Sequence, residues 1–378
     1  MKSEADLVVK GAGQLLTMVP GGSGVTPEEK LGLIQGGSLA VRGGAIVWAG
    51  PDRELDGNVV LSAGGLELDG RGKVVTPGFI DSHTHPIFAG SRAREFELRI
   101  QGATYQQIAQ AGGGIKSTVE NTRAASKEEL RDLGLGRLDE MLSLGTTTVE
   151  AKSGYGLSVA DEIKMLEVIR ELDRVHPMEV VSTFLGAHEI PPEYAGRKRD
   201  YVRLVIEEMI PEVASKKLAS FCDVFCEEGV FSLEESRRIL EKGAEYGLLP
   251  KLHADELTPL GGAELAAELG AVSADHLLYA SDKGMEMMAR KGVVATLLPG
   301  TAFFLFMGRY APAKVMKEKG VTIALATDFN PGSCMTQSLP LITTIACTQM
   351  RMTPAECILG ITMNAARAIG REESLGSL

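Results

Sequence analysis

The sequence predicts an α/β fold, namely a (β/α)8 TIM-like barrel with a small β-sandwich domain formed by the N-terminal strands. Short β-type runs separated by glycines fill about the first 70 residues. From residue 74, short apolar runs alternate with amphipathic stretches, a pattern typical of β/α units around a parallel sheet. There are eight such runs, and eight is the number of strands in this barrel.

The N-terminal unit is expected to span residues 1–70. Its segments DLVVK, SLAVRGGAIVWAGP and LELDGRGKVV are rich in strand-forming apolar residues. The tripeptides RGG and GRG inside them predict hairpin turns, because glycine tolerates the backbone conformation that such turns need. The sequence therefore begins with a small antiparallel β domain.

The barrel is expected over residues 71–370. Its eight apolar runs occupy residues 77–83, 146–151, 178–187, 221–226, 248–254, 271–276, 292–298 and 321–327. Between them, a serine or threonine followed three residues later by an acidic residue predicts where helices start. These pairs are Ser126/Glu129, Ser158/Asp161, Ser232/Glu235 and Thr353/Glu356.

The first β/α unit is unusual because about forty residues, 86–125, separate its strand from its helix. Long excursions at strand ends are usually functional, and we expect this one to form a wall or lid over the barrel mouth. The glycines at 112–114 do not form a phosphate-binding loop, because Ile115 stands where a glycine must precede the lysine. We interpret them as a flexible loop.

Composition favours small-molecule chemistry. Thirty-nine Lys and Arg against 50 Asp and Glu give a net charge of −11, and no basic run indicates binding to nucleic acid or anionic membranes. No apolar stretch is long enough to span a bilayer, and the start MKSEADLVVK lacks the order of a signal peptide, so a cytoplasmic protein is expected. The odd number of five cysteines indicates reduced thiols, with Cys222 and Cys226 as buried structural residues.

The histidines indicate where the chemistry lies, because active sites of such barrels form at the carboxyl ends of the strands. Five of the six histidines, together with one aspartate, fall at predicted strand ends. They are His83 and His85 after strand 1, His188 after strand 3, His253 at strand 5, His276 at strand 6 and Asp328 at strand 8. The sixth, His176, lies in a helix-to-strand loop and is interpreted as an ordinary structural residue.

A metal site follows from this arrangement. His83 and His85 alternate on an extended segment, so both rings point the same way while Thr84 faces the barrel wall. His253 and Asp328 can complete the set. Three imidazoles and one carboxylate suit Zn²⁺ or Fe, and would satisfy Mg²⁺ or Ca²⁺ poorly.

The motif PGFIDSHTH at residues 77–85 resembles the amidohydrolase superfamily, and the resemblance extends over the whole chain. The binuclear branch of that superfamily bridges two ions with a carboxylated lysine on strand 4. Here strand 4 ends in Cys226-Glu227-Glu228, and only Lys152 after strand 2 lies near a strand end. The resemblance thus implies a mononuclear site with one Zn²⁺ or Fe ion per chain.

Within the superfamily the sequence most resembles the imidazolonepropionase family. The resemblance is carried by AKSGYGL, FLGAHEIPPEY, KLHADEL, SADHLLY and ATDFNPGS. It implies metal-dependent hydrolysis of the ring amide C–N bond of 4-imidazolone-5-propanoate to N-formimidoyl-L-glutamate, the third step of histidine degradation. It also implies a homodimer.

Roles for individual residues follow. Glu256 lies three residues after His253, and if HADE begins a helical turn its carboxylate can take the proton of the attacking water. His276 can hydrogen-bond the oxyanion or the water, or support a ligand from behind. Residues at family positions for substrate binding are Arg92, Tyr155, His188, Glu256, Asn330, Gly332 and Ser333.

Two other functions stay open. A mononuclear deaminase of the same superfamily would use the same residues on an aminated heterocycle. A catalytically silent binding barrel is favoured only if Glu256 or Asp328 is absent, and both are present. Family members usually continue past ITMNAARAIG with strands that complete the small β domain. We therefore expect those strands to be missing and residues 371–378 to form a truncated return toward the small β domain.

Overall fold

The structure is a computed structural model that describes residues 2–19, 26–102 and 113–378. The strands are β1 Ser3–Leu16, β2 Leu33–Arg42, β3 Ala45–Pro51, β4 Val59–Asp69, β5 Val74–Val75, β6 Phe79–Thr84, β7 Thr146–Lys152, β8 Glu179–Ala187, β9 Phe221–Cys226, β10 Leu249–Ala254, β11 Ser273–His276, β12 Val294–Leu297 and β13 Ile323–Leu325. They form two sheets, an N-terminal one of five strands and a second one of eight.

The helices lie mostly between the strands of the second sheet. They are α1 Pro27–Lys30, α2 Leu55–Asn58, α3 Ala93–Ile100, α4 Ile115–Ala124, α5 Lys127–Ser143, α6 Val159–Val175, α7 Lys198–Leu204, α8 Ile210–Ser215, α9 Leu233–Glu245, α10 Gly262–Leu269, α11 Asp282–Lys291, α12 Pro299–Phe304, α13 Ala313–Glu318, α14 Leu339–Met350, α15 Pro354–Gly360 and α16 Met363–Ala368. At all four predicted helix starts, the Ser or Thr side chain accepts the backbone N–H three residues on.

The N-terminal sheet has the order β3-β2-β1-β4, with β5 also against β1. The RGG tripeptide forms the predicted antiparallel turn between β2 and β3. The predicted hairpin at GRG is wrong. The strands before and after it, β4 and β5, each pair in parallel with β1 rather than with one another, because β1 presents a long free edge to both. The domain boundaries proposed from the sequence stay predictions.

The second sheet confirms the predicted barrel. Its strands follow chain order from β6 to β13, and every neighbouring pair is parallel. Backbone bonds close the ring between β6 and the segment after β13. Asp328 N–H donates to the His83 carbonyl at 3.0 Å, and His85 N–H donates to the Phe329 carbonyl at 2.9 Å. The Asp81 carboxylate accepts the Thr327 N–H and hydroxyl across the same seam.

The excursion at residues 86–125 is not simply a loop, because it contains α3 and α4. Gly114 precedes α4 with a φ of 90°, which glycine adopts without strain, and its N–H donates to the Glu95 carboxylate at 2.9 Å. Gly112, the first glycine of the predicted flexible triplet, lies outside the described residues. None of the helices in the described ranges is long and apolar enough to cross a membrane.

The barrel wall and the surrounding helices share one large apolar core. Cys222 and Cys226 belong to it as buried free thiols, as predicted. Helix α5 packs against α6 through Gly134, where an added Cβ would lie 2.6 Å from Leu172 Cδ1. Gly136, one half-turn on, has no neighbour within 4 Å of the same point. Two glycines of one helix therefore sit in opposite surroundings.

We expect Gly136→Ala to raise the free energy of unfolding by roughly 0.5 to 1 kcal/mol, because alanine favours the helix. Gly134→Ala gains the same propensity but forces Leu172 aside, so it should lower stability by about 1 to 3 kcal/mol. Thermal unfolding of both variants and the unchanged protein measures the difference. Equal midpoints for the two variants would show that α5 and α6 do not pack as described.

Candidate active site

Three histidines meet at the carboxyl end of the barrel. His83 lies on β6, His85 follows that strand, and His253 lies on β10. One ring nitrogen of each lies within 4.8 Å of the other two. The predicted alternation is present, because Thr84 points away and donates its hydroxyl to the Glu150 carbonyl at 2.7 Å. Folding thus joins residues 170 positions apart in the sequence.

Carboxylates behind the rings fix two of these histidines. His83 Nδ1 lies 2.7 Å from Asp275 Oδ2, and His253 Nδ1 lies 3.1 Å from Asp223 Oδ1. An ionised carboxylate only accepts hydrogen bonds, so in each ring Nδ1 carries the proton and Nε2 keeps a free lone pair. Both Nε2 atoms are buried and lack a hydrogen-bond partner among the described residues. This is how proteins orient metal-ligating histidines.

The protonation of these rings also suits a metal. Burial is the largest cause that lowers the pKa of His83 and of His85 well below its usual value. Neutral imidazole, not imidazolium, is the form that binds a metal ion. The cluster could therefore hold a cation without a prior change of protonation.

Asp328 supplies an oxygen to the same point. Its Oδ1 lies 3.4 Å from His85 Nε2 and 3.5 Å from His83 Nε2, and its Oδ2 accepts the Thr301 hydroxyl at 2.6 Å. The sequence placed Asp328 at the end of strand 8, but β13 ends at Leu325. The strand stops early because Thr327 bonds the Asp81 side chain instead of continuing the backbone ladder.

A buried ion pair supports the cluster from below. Lys152 is the last residue of β7, and its Nζ lies 2.7 Å from Glu150 Oε1 and 2.8 Å from Asp223 Oδ2. Its Nζ also lies 3.8 Å from Asp275 Oδ2. Burial would lower the pKa of Lys152, but Asp223, Glu150 and Asp275 outweigh it and raise that pKa. The Lys152 ammonium therefore partly neutralises both Asp223 and Asp275, the two carboxylates that hold the histidines.

Glu256 does not lie in a helical turn, which corrects the prediction for HADE. The chain bends after β10, and helix α10 begins only at Gly262. The cause is Asp255, whose φ is 49° and whose carboxylate accepts the N–H groups of Gly261, Gly262 and Ala263. The bend still turns Glu256 toward the cavity.

Glu227, just after β9, holds the far side of this bend. It accepts the Leu257 N–H at 2.8 Å and the Thr258 hydroxyl. Glu256 Oε2 then lies 3.4 Å from His276 Nε2. Burial, followed by Asp328 and Glu227, raises the pKa of Glu256 well above its usual value. Burial also lowers the pKa of His276 to about 3. These two groups form a pair that can hold or pass a proton.

Two residues of the site have strained backbones. His276 has a φ of 75° and Asp328 has a φ of 53°, in the left-handed region that residues with side chains rarely occupy. Such strain persists only where surrounding contacts enforce it, and it concentrates at functional sites. His276 is the last residue of β11 and Asp328 follows β13, and both side chains lie close to the histidine cluster.

A cavity of about 480 Å³ opens above the cluster. Every residue that the sequence predicted for substrate binding lines it, as do most of the predicted metal ligands. The predicted residues along it are His85, Arg92, Tyr155, His188, His253, Glu256, His276, Asp328, Asn330, Gly332 and Ser333. The structure thus brings the predicted site residues together, while their individual roles stay predictions.

The loop after Asp328 is held by hydrogen bonds among its own residues. Asn330 Nδ2 donates to the Asp328 carbonyl and to Ser333 Oγ, both at 2.7 Å, and its Oδ1 accepts the N–H groups of Gly332 and Ser333. Asn330 therefore shapes the loop rather than presenting a free amide. An added Cβ at Gly332 would lie 2.0 Å from Arg92 Nη1, so a side chain here would displace the Arg92 guanidinium group.

His188 and Tyr155 form the wall beside His85. The His188 ring stacks on the His85 ring at a centroid distance of 5.1 Å, and the Tyr155 ring lies 5.3 Å from that of His188. His188 Nδ1 donates to the Gly154 carbonyl at 3.0 Å, and burial lowers its pKa well below the usual value. A neutral ring bonded in this way leaves Nε2 as an acceptor.

Sequence reasoning missed the residues that support the site, among them Asp223, Asp275, Glu227 and Thr301. A signal existed for the first of these, because a charged residue inside the apolar run FCDVFC needs a buried partner. His176 lies apart from the cluster, as expected. Its Nε2 lies 3.2 Å from Asp139 Oδ1.

Comparison with known proteins gives a consistent result. The model of the amidohydrolase family matches residues 74–378. The imidazolonepropionase of Symbiobacterium thermophilum is 54% identical over 374 residues, which cover 99% of this chain and 88% of that protein. The imidazolonepropionase of Geobacillus thermodenitrificans is 53% identical over 376 residues, covering 98% of this chain and 88% of that protein.

Solved structures share the fold at low identity. An adenosine deaminase from Xanthomonas campestris with bound zinc has a TM-score of 0.69 at 16% identity, covering all of this chain and 83% of that one. An ochratoxinase from A. niger has a TM-score of 0.67 at 19% identity, covering 98% of this chain and 86% of that one. At such identity these structures show the fold alone.

We expect Asp275→Asn to weaken metal binding about 10- to 100-fold, because the amide no longer fixes the tautomer of His83 as a carboxylate does. Dialysis against a chelator of graded affinity, followed by metal analysis, measures the change. Asp139→Asn is the matched control, since it alters the partner of the histidine outside the site. Unchanged metal retention in Asp275→Asn would contradict the supporting role.

Proposed function

This chain belongs to the imidazolonepropionase family of amidohydrolases, and on that premise we propose that it hydrolyses 4-imidazolone-5-propanoate to N-formimidoyl-L-glutamate in histidine degradation. The observation that carries the proposal is the convergence of site residues on one cavity. Two buried histidine Nε2 atoms that lack a hydrogen-bond partner among the described residues, a buried carboxylate and an arginine lie at this site. This is the arrangement that a ring amide with an acidic side chain requires.

We propose His83, His85, His253 and Asp328 as the ligands of one metal ion. The free lone pairs of the histidines and the nearby carboxylate oxygen fit Zn²⁺ or Fe, and both accept this set of donors. When bound, such an ion polarises a carbonyl and lowers the pKa of water. A single ion is favoured because β9 ends without a lysine and Lys152 is held by carboxylates.

Glu256 is proposed to move the proton. The oxygen of water bonds to the ring carbonyl carbon, the C–N bond of that carbon breaks, and the ring nitrogen needs a proton. A carboxylate that faces the cavity and is held by its loop can take the proton from water and return it to the nitrogen.

His276 is proposed to stabilise the oxyanion that develops on the carbonyl oxygen. It lies on the cavity wall, and its Nε2 lies 3.4 Å from Glu256 Oε2. A donor fixed before the reaction stabilises developing charge without having to reorganise. Support of a ligand from behind is the other role proposed from the sequence, and variants at this position separate the two by metal content.

The remaining residues are proposed to bind the substrate. Arg92 faces the cavity and suits the propionate carboxylate, while the Nε2 acceptor of His188 suits a ring N–H. Tyr155 can bond the ring or the side chain, and the 330–333 loop closes the cavity beside Arg92. A cytoplasmic location and a homodimer complete the proposal.

Anaerobic incubation of the purified protein with 4-imidazolone-5-propanoate tests the function. Loss of the ultraviolet absorbance of the ring, formation of N-formimidoyl-L-glutamate and about one metal per chain are expected. Removal of the metal with a chelator should abolish ring opening, and addition of Zn²⁺ or Fe²⁺ should restore it. A fully metallated protein that leaves this ring intact but releases ammonia from an aminated heterocycle would instead be a deaminase.

We expect Glu256→Gln to lower turnover by about 10² to 10⁴-fold, because the amide cannot take a proton from water. Metal content and KM should change little, since neither depends on this proton. Steady-state kinetics with metal analysis on the same sample measures all three. Glu234→Gln, at an exposed position in the first turn of α9, controls for expression and folding. Near-normal turnover in Glu256→Gln would exclude the proton-transfer role.

A further inference from the structure

Helix α3 places two arginines at one wall of the cavity. Arg92 precedes the helix and Arg99 lies in its last turn, and both line the cavity. Their guanidinium groups converge on Gly332. Arg92 Nη1 lies 2.0 Å from where a Cβ of Gly332 would be, and Arg99 Nη1 lies 3.4 Å from the Gly332 carbonyl oxygen. Only one of the two follows from the family resemblance.

The two arginines differ in how their charge is balanced. Arg92 Nε and Nη2 lie 3.0 and 2.8 Å from Glu95 Oε2, so a carboxylate already neutralises this guanidinium. For Arg99, no acidic side chain in the described ranges lies within 4.0 Å. The ranges that are not described, residue 1, residues 20–25 and residues 103–112, contain no Asp or Glu. Arg99 therefore makes no direct ion pair of its own, and the Glu95 charge that pairs with Arg92 reaches Arg99 only at longer range.

The surroundings of Arg99 make that charge effective. The side chain is half-buried, and its guanidinium lies 5.9 Å from the centre of the Phe304 ring. Burial, and then the neighbouring charge of Arg92, lowers the pKa of Arg99. Two like charges near each other at a partly desolvated site favour the arrival of an anion, which removes their repulsion.

The opposite side of the cavity is acidic. Glu189, Glu228 and Glu256 follow β8, β9 and β10 and line the cavity. In a closed ring of eight strands, β10 lies opposite β6, whose following segment carries both arginines. An anionic side chain is therefore attracted to the arginine wall, whereas the carboxyl groups of Glu189 and Glu256, whose pKa values burial raises, offer it no attraction. The field across the cavity orients such a ligand with its ring toward the histidines.

We propose that Arg99 is a specificity-determining residue that selects substrates with a carboxylate side chain. Arg99 supplies the positive charge for that carboxylate, because the charge of Arg92 is already neutralised by Glu95. This inference rests on the proposed function, because it concerns the acidic side chain of the same substrate. Arg92 then sets the position of the carboxylate, and Arg99 supplies most of its attraction. Both contacts are made equally in the bound substrate and in the transition state. Their loss should therefore raise KM and leave kcat nearly unchanged.

The test compares Arg99→Gln with Arg94→Gln, which removes an exposed arginine from the same helix. Arg99→Gln should raise KM for 4-imidazolone-5-propanoate about 10- to 100-fold and leave kcat within about threefold, as expected for loss of a charge-assisted contact. Arg99→Lys should recover most of the loss. Arg94→Gln should resemble the unchanged protein.

A second readout separates charge from structure. Imidazole-4-propanoate carries the same acidic side chain but has no ring amide to hydrolyse, and 4-propylimidazole lacks the charge. Calorimetry should show that Arg99→Gln weakens binding of the first and not of the second. The salt dependence of kcat/KM should also be shallower in this variant, since less charge attracts the substrate.

The outcomes distinguish the two proposals. If the unchanged protein opens the ring and Arg99→Gln keeps KM within about twofold, the inference about Arg99 is wrong and the function stands. Equal weakening of the charged and the neutral imidazole would also overturn it, because that pattern indicates a structural defect. If the unchanged protein does not open the ring, the proposed function fails, and binding of the two imidazoles still decides the role of Arg99.

Discussion

The site depends on the buried ion pair between Lys152 and Asp223. Carboxylates are costly to bury without a compensating charge, and one ammonium compensates Asp223 closely and Asp275 at longer range. These carboxylates fix the tautomers of His253 and His83, which leaves the Nε2 lone pairs of both rings free at the histidine cluster. A lysine bonded to carboxylates behind the histidines thereby decides which ring atoms the barrel presents at its carboxyl end.

Above this base, the groups proposed to react lie on short bends, and each bend is held by its own hydrogen bonds. Asp255 and Glu227 hold the bend that carries Glu256, and Asn330 holds the turn behind Arg92. The backbones of His276 and Asp328 are held in the same way, because a strained backbone persists only where surrounding contacts enforce it. The barrel supplies position, and the bends supply the direction of each side chain.

Most of the fold could be predicted from the sequence, because parallel strands buried on both faces appear as apolar runs. Most residues of the candidate site could also be predicted, because they follow the ends of these runs. The failures involve contacts between distant residues. β5 pairs with β1 instead of forming a hairpin with β4, and the Asp255 carboxylate delays α10. Asp275 and Glu227 were missed because they act through particular hydrogen bonds, including those to His83 Nδ1 and to the Leu257 N–H. The periodicity of a sequence does not indicate which side chain bonds which atom.

The seam that closes the barrel has a consequence for the order of biosynthesis. The backbone of His83 and His85 bonds the backbone of Asp328 and Phe329, so the two ends of the eight-stranded ring meet at the histidine cluster. Closing so long a loop is slow relative to local folding. A ribosome must therefore release Asp328 before the four proposed ligands can meet, and a nascent chain that stalls earlier offers an incoming ion only an incomplete set.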